Sequence, residues 1–300
     1  MQGGTLIVED GGRLSSVCNE NSWRGIEVWG TKNASQLTPG TQGIVELKNG
    51  AIIENALQAI CTIKTNPDGS FDWNYTGGIV KADGAVFRNN KNGVWFGPYE
   101  NKHPITGNPM TNVSYFKNCT FETTNAYVNP INPPNEFVGL YMVQGIRFLG
   151  CTFQNIATIT PPGTKGNGIN AFDARFTVDE LCLSPIYPCT SVIPSTFKNL
   201  NYGVYVQGSN AAVANAQINN TDFDNNFKGV FIRSANNCVV SNNNFNVGAN
   251  IFEYSPQPFE HKAYGLYMES STGFTVENNS FETSPSNLYG IVVKNLDKKA

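Results

Sequence analysis

A four-residue phrase, Gly-apolar-x-apolar, returns along the whole chain. It reads "GIEV" at Gly25, "GVWF" at Gly93, "GLYM" at Gly139, "GINA" at Gly168, "GVYV" at Gly203, "GVFI" at Gly229, "GLYM" at Gly265 and "GIVV" at Gly290, with "AICT" at Ala59 as a weaker copy. A second phrase precedes the copies, centred on one large apolar residue: Ile53, Phe87, Phe121, Phe153, Phe197, Phe223, Phe245 and Phe281. From centre to glycine is six residues for Phe87, Phe197 and Phe223, and 18 for Phe121, where "NAYVNPINPPNEF" intervenes. A third apolar pair lies ahead of the centre, such as Cys238 and Val240 before Phe245, or Phe274 and Val276 before Phe281. Internal repetition of this kind constrains the fold more than any single element does.

Each repeat therefore holds three short segments of period two, divided by Gly and Asn turns, with no helical period. The shortest full repeat, Phe223 to Phe245, spans 22 residues. Regular hairpin signals are missing between the segments. A chain that closes a coil every 22 or more residues and stacks on itself fits the pattern. The expected fold is all-β: a right-handed parallel β-helix (a β-solenoid) with three short strands per coil and about nine or ten coils.

Stacking makes a further expectation. Two residues before the apolar centres stand Ala51, Ala85, Cys119, Cys151, Ser195, Thr221, Asn243 and Asn279, all small or Asn, with like beside like. Two residues after the centres stand Asn55, Asn89, Thr123, Asn155, Asn199, Asn225, Val247 and Thr283. Equivalent residues of neighbouring coils sit about 4.8 Å apart, so such rows pack on themselves. Asn tolerates the left-handed backbone of a tight turn, and stacked amides bond along the axis. These asparagines read as structural.

The chain has 300 residues, long enough for a large core, and a net charge of -3. That balance argues against nucleic acid or anionic membrane as a partner. No apolar run approaches the length of a membrane-spanning helix. The seven cysteines include no C-x-x-C pair, and only His103 and His261 are histidines, so no zinc site and no cofactor is expected. Cys182 and Cys189 flank "LSPIYP" and are placed to close a local disulfide; the other cysteines read as small core residues.

The phrases "GVFIRSANNCVVSNNNF" and "GLYMESSTGFTVENNSF" resemble repeats of the pectate-lyase-like superfamily of right-handed parallel β-helices. The resemblance covers roughly residues 25–295 and is specific for fold, not function. The N-terminal "GTLIVEDGGRLSS", "WRGIEVWG" and "GIVELKNGAIIENA" are similar to large secreted bacterial proteins that end in a type IX secretion sorting domain. The resemblance implies a secreted or cell-surface location. Together with the abrupt ends, it leads us to expect one β-helix domain over 1–300 (N-terminal cap 1–24, repeats 25–295), a segment of a longer, monomeric protein.

In polysaccharide-cleaving relatives the Gly-apolar-x-apolar strand lines the active cleft, and catalytic groups point outward from it. This chain carries "NTD" at Asn220–Asp222, but Asp222 flanks the core Phe223, on another strand. Lys228 and Arg233 flank the cleft strand, and Glu27 and Glu269 stand on distant coils. Glycoside hydrolysis needs two carboxylates at fixed separation, and hard cations need several converging oxygens. No catalytic residue and no metal ligand is assigned.

The outward position two after each Gly is more suggestive. It reads Glu27, Cys61, Trp95, Tyr141, Asn170, Tyr205, Phe231, Tyr267 and Val292. Trp95, Tyr141, Tyr205, Phe231 and Tyr267 are expected to stack into a stripe that offers flat apolar faces to sugar rings, with a polysaccharide or cell-surface glycan as partner. The competing readings are stacked aromatics that only stabilise the sheet, and a polysaccharide lyase or hydrolase whose loops supply the missing acids. Segments 97–112, 124–138, 157–167 and 246–264 are read as loops that wall such a groove, and Trp23, Trp29 and Trp73 as covers for the first coils.

Overall fold

The computed structural model describes residues 3–16, 23–127, 133–158, 165–184, 188–209, 214–248, 263–283 and 289–294. Their strands form three sheets of nine, each joined in parallel from coil to coil. The first sheet runs from Thr5–Val8 to Thr275–Glu277, the second from Arg13–Leu14 to Ser280–Thr283, and the third from Ile26–Glu27 to Tyr289–Lys294. Each coil contributes one strand to each sheet in order, the arrangement of a right-handed parallel β-helix. Below, the second is the Phe sheet and the third the Gly sheet.

The apolar centres are in register. Phe87 pairs with Ile53 and Phe121, Phe153 with Phe197, Phe197 with Phe223, and Phe245 with Phe281. Their rings stack nearly coplanar, 4.5 Å apart for Phe153–Phe197, 5.0 Å for Phe197–Phe223 and 4.7 Å for Phe223–Phe245. This column meets Val, Ile and Leu side chains from the other two sheets in one continuous core. From Gly168 onward the repeat glycines face it: a β-carbon on Gly203 would lie 2.9 Å from the Phe223 ring, and one on Gly229 would lie 3.0 Å from Phe245. Large ring and bare glycine are thus two halves of one contact, and this is why the phrases recur together.

The turns account for the asparagines. Asn55, Asn89, Asn199 and Asn225 sit after the Phe strand with φ between 53° and 57°, and Asn118, Asn220, Asn242 and Asn278 hold the same conformation at the preceding corner. The side-chain amides bond both to one another and to backbone. Asn225 Nδ2 donates to Asn199 Oδ1 at 2.6 Å, while Asn199 Nδ2 donates to the Asn155 carbonyl at 3.1 Å. The buried Asn226 beside this row accepts from Leu200 N–H at 3.0 Å and donates to the Phe197 carbonyl at 2.8 Å. Asn243 and Asn279 bridge coils similarly from the small-residue row. Amides that would be orphaned where strands turn are satisfied by the coil below.

Two insertions fold as short antiparallel pairs on the solenoid's flank: Lys64–Thr65 with Phe71–Asp72, and Leu181–Cys182 with Val192–Ile193. A Cys182–Cys189 disulfide closes the second, with a Cα separation of 5.9 Å. Cys119 and Cys151, in the small-residue row, are buried thiols, and so are Cys238 and the outward Cys61; Cys18 lies outside the described residues.

Candidate functional site

The outward column of the Gly sheet is not the one its phrases suggest. Trp95 lies in register with Cys61 on one side and Gly139 on the other, while Tyr141 pairs with Phe172. The strand Glu136–Tyr141 resumes with Phe137, not Gly139, in the place of the repeat glycine. Its Phe137 ring packs 6.3 Å from Phe121. The column therefore runs Trp95, Gly139, Asn170, Tyr205, Phe231, Tyr267, with Tyr141 two residues beyond it. Gly139 and Asn170 split the expected stripe into two aromatic groups.

The first group gathers on Trp95 and Tyr141. Trp95 stacks on Tyr141 with ring centroids 6.2 Å apart and planes 15° from parallel, and Tyr141 stacks on Phe172 at 5.4 Å. The hairpin insertion adds two rings: Phe71 stacks on Trp95 at 5.1 Å, and Trp73 tilts against Tyr141 at 5.7 Å. Trp73 is 42% exposed and the others are half-buried, so the group presents a broad apolar face. Trp73 does not cap the first coil as expected. The hairpin turns at Asp68–Ser70, where Ser70 N–H and hydroxyl both donate to Asp68, and delivers Trp73 over the sheet. The aromatic density of "SFDWNY" was a usable signal for it. Beside the face, Lys64 pairs with Asp72 at 3.6 Å and lies 4.3 Å above the Tyr75 ring, itself edge-on to Trp29. Trp23 stays with the first coils, its indole donating to the Glu54 carbonyl at 2.8 Å.

The second group is packed shut. Tyr205 stacks on Phe231 at 4.9 Å and Phe231 on Tyr267 at 5.1 Å, but Phe231 is only 8% exposed and Tyr267 only 2%. Tyr202 meets Tyr205 edge-on at 5.2 Å, and the buried Tyr264 tilts against Tyr267 at 5.2 Å. Lys228 Nζ donates to the Tyr202 hydroxyl at 2.8 Å. Burial pushes the Tyr202 phenol up to about 12. Phe231, Tyr264 and Tyr267 form a small second core against the sheet, with the half-buried Tyr202 and Tyr205 packed on it, so the expected open stripe is not present at Phe231 and Tyr267.

A buried carboxyl lies between the groups. Glu136 pairs in the sheet with Asn92 and Asn167, and its Oε2 accepts from Asn170 Nδ2 at 2.7 Å. A β-carbon on Gly139 would sit 2.0 Å from the Trp95 ring and 2.6 Å from Glu136 Oε1, so indole and carboxyl converge over that glycine. Burial raises the Glu136 carboxyl above its ordinary value, with the Asn170 bond opposing the shift.

The other acids considered from sequence are engaged. Asp222 accepts from Asn244 at 2.8 Å; Asp224 accepts from Asn246 at 2.9 Å and pairs with Lys198 at 2.8 Å. Arg233 pairs with Glu269 at 2.9 Å, and Glu27 accepts from Thr65 N–H at 3.3 Å. His103 Nδ1 accepts from Thr106 N–H within its own turn; His261 lies outside the described residues. Among the described residues, no three His, Cys, Asp or Glu side chains gather as metal ligands.

A family model described as "Periplasmic copper-binding protein (NosD)" matches residues 189–300. Among solved structures, the chain is similar to a crystal structure of a double mutant of the periplasmic alginate epimerase AlgG. The identity is 9% and the TM-score 0.22, over 99% of this chain and 79% of that one. No curated protein matches the chain.

Proposed function

We propose that this chain is a non-catalytic β-helix scaffold or adhesive segment of an exported protein that holds a glycan against the aromatic face of its Gly sheet. The observation that carries this reading is the near-parallel stack of Phe71, Trp95, Tyr141 and Phe172, with the exposed Trp73 tilted against it, where rings from the hairpin and three coils lie half-open to solvent. Flat apolar rings take the C–H faces of pyranoses, and such a surface is otherwise costly to leave uncovered. Coils repeat about every 4.8 Å, close to the advance of an extended sugar chain per residue. The non-catalytic part of the reading draws on the acids above, which are tied into cross-coil pairs. An extracellular or periplasmic setting is in keeping with the Cys182–Cys189 disulfide and with the description of the family matched over 189–300. Copper binding is not adopted: among the described residues of that segment, Cys238 and Met268 are sealed in the core and Cys189 is held in the disulfide.

Affinity electrophoresis through gels containing cellulose derivatives, xylan, mannan, pectin or alginate tests the reading. At least one polysaccharide should retard the protein, and Trp73→Ala with Tyr141→Ala should abolish retardation. Equal mobility in every gel would overturn it. New reducing ends or unsaturated product in the same incubations would replace it with a polysaccharide lyase or hydrolase.

A further inference from the structure

The outer face of the Phe sheet carries a column of polar side chains: Glu54, Arg88, Glu122, Gln154, Lys198 and Asp224, in register from coil to coil. Cross-strand charge pairing is an ordinary stabiliser of sheets, and at the C-terminal end the column looks like no more than that. There the Lys198 and Asp224 side chains are 49% and 39% exposed. The N-terminal end differs. Thr124, Ala126 and the exposed Ile156 rise beside it and border an open cleft of about 630 Å³. Thr124 is held in place by Asn89, which accepts its N–H at 2.8 Å and donates to its hydroxyl at 3.0 Å.

Within this cleft the two charges are layered. The carboxylates lie at the back: the Glu54 side chain is 4% exposed and that of Glu122 is 10%. Both are occupied. Glu54 Oε1 accepts from Arg13 Nε at 2.7 Å, from Arg13 Nη2 and from the Ser15 hydroxyl at 2.9 Å. Glu122 accepts from Arg88 Nε at 2.7 Å and from Gln154 Nε2 at 3.1 Å. The guanidinium groups stand in front, with Arg13 62% and Arg88 36% exposed. A buried acid that grips one edge of an arginine fixes the plane of the fork and leaves further N–H donors for a ligand. Preorganised forks suit planar or tetrahedral oxyanions, which they bind in pairs of parallel hydrogen bonds. The two arginines belong to alternate coils, so their forks lie roughly 10 Å apart.

We propose that this cleft is a binding site for an elongated small molecule or oligosaccharide carrying carboxylate, phosphate or sulfate groups, with Arg13 and Arg88 as its two anchors. The site lies on a different sheet from the aromatic face and does not depend on it.

Isothermal titration at constant ionic strength, with citrate, inorganic pyrophosphate and tri-galacturonate as probes, separates the sources of the oxyanion. At least one probe should bind one to one. Arg88→Lys, which keeps the charge and loses the fork, and Arg13→Gln should each weaken that probe tenfold or more, while Trp73→Ala leaves it unchanged. Because Arg13→Gln strips a partner from a buried carboxylate, Ile156→Trp serves as a second variant that fills the cleft from its exposed wall and leaves both ion pairs intact. It too should abolish binding. No binding by any probe, or an affinity in either Arg88→Lys or Ile156→Trp equal to that of the unaltered protein, would overturn the proposal.

Discussion

Trp95 lies directly across the Gly sheet from Gly139, and its indole fills the space where a β-carbon on that glycine would stand. This pairing organises the open aromatic group. With no side chain beneath it, the indole can lie flat, parallel to Phe71 on one side and Tyr141 on the other. Gly139→Ala should lift the indole from this position. A β-carbon 2.0 Å from the ring cannot be absorbed without movement, and overpacking of this kind costs about 1–3 kcal/mol. Near-UV circular dichroism should change in its tryptophan bands while far-UV signal is kept.

The Phe column carries much of the core. Phe223 touches a stacked ring on either side, at 5.0 Å and 4.7 Å. Phe223→Ala should lower unfolding free energy by about 3–5 kcal/mol, read from denaturant titration. Its outward neighbour Asp222 faces solvent with one Asn244 partner, and Asp222→Ala should stay within about 0.5 kcal/mol.

Two adjacent asparagines should respond differently. Asn226→Ala removes a buried side-chain amide and takes that bond from both the Leu200 N–H and the Phe197 carbonyl. The cost is about 1–3 kcal/mol for each group so deprived. Asn225 sits at φ 55°, so Asn225→Gly should be tolerated better than Asn225→Ala, which cannot take that backbone as easily. Thermal melts of the three variants order them.

Glu136 makes stability depend on pH. Its carboxyl is raised by burial in the folded chain. The folded state therefore holds the proton more tightly than the unfolded one, and this contribution is fully present below the ordinary carboxylate value. It is lost as pH rises through the folded value. Glu136→Gln should melt higher than the unaltered protein at pH 7, and the difference should vanish near pH 4. An equal difference at both values would mean that the carboxyl is not desolvated as described.

The packed aromatic group should behave as core. Tyr205→Ala with Tyr267→Ala, which would leave stability untouched on an open stripe, should lower the melting temperature clearly, since Tyr267 is 2% exposed and stacks on Phe231 at 5.1 Å. An unchanged melting temperature would show that these rings are dispensable to the fold.

Much of this molecule is written in its repeat. The spacing of Phe87, Phe197 and Phe223 from their glycines, and the rows of small residues and asparagines, follow from strands of period two stacked on themselves. Each residue's neighbour above and below is then its own equivalent. That logic reads the core column, the left-handed Asn turns and the inward glycines directly. It fails where an insertion separates one strand from the next. Closing a loop costs little more for a few extra residues, so the phrase "GLYM" could not say whether Gly139 or Phe137 resumes the coil. Packing decided it, by seating Phe137 against Phe121. The same holds for Trp73, carried by its hairpin onto Tyr141, and for Tyr267, shut in by Tyr264 and Phe231. Local pattern tells a side chain which way to face; only the assembled coils determine what stands in front of it.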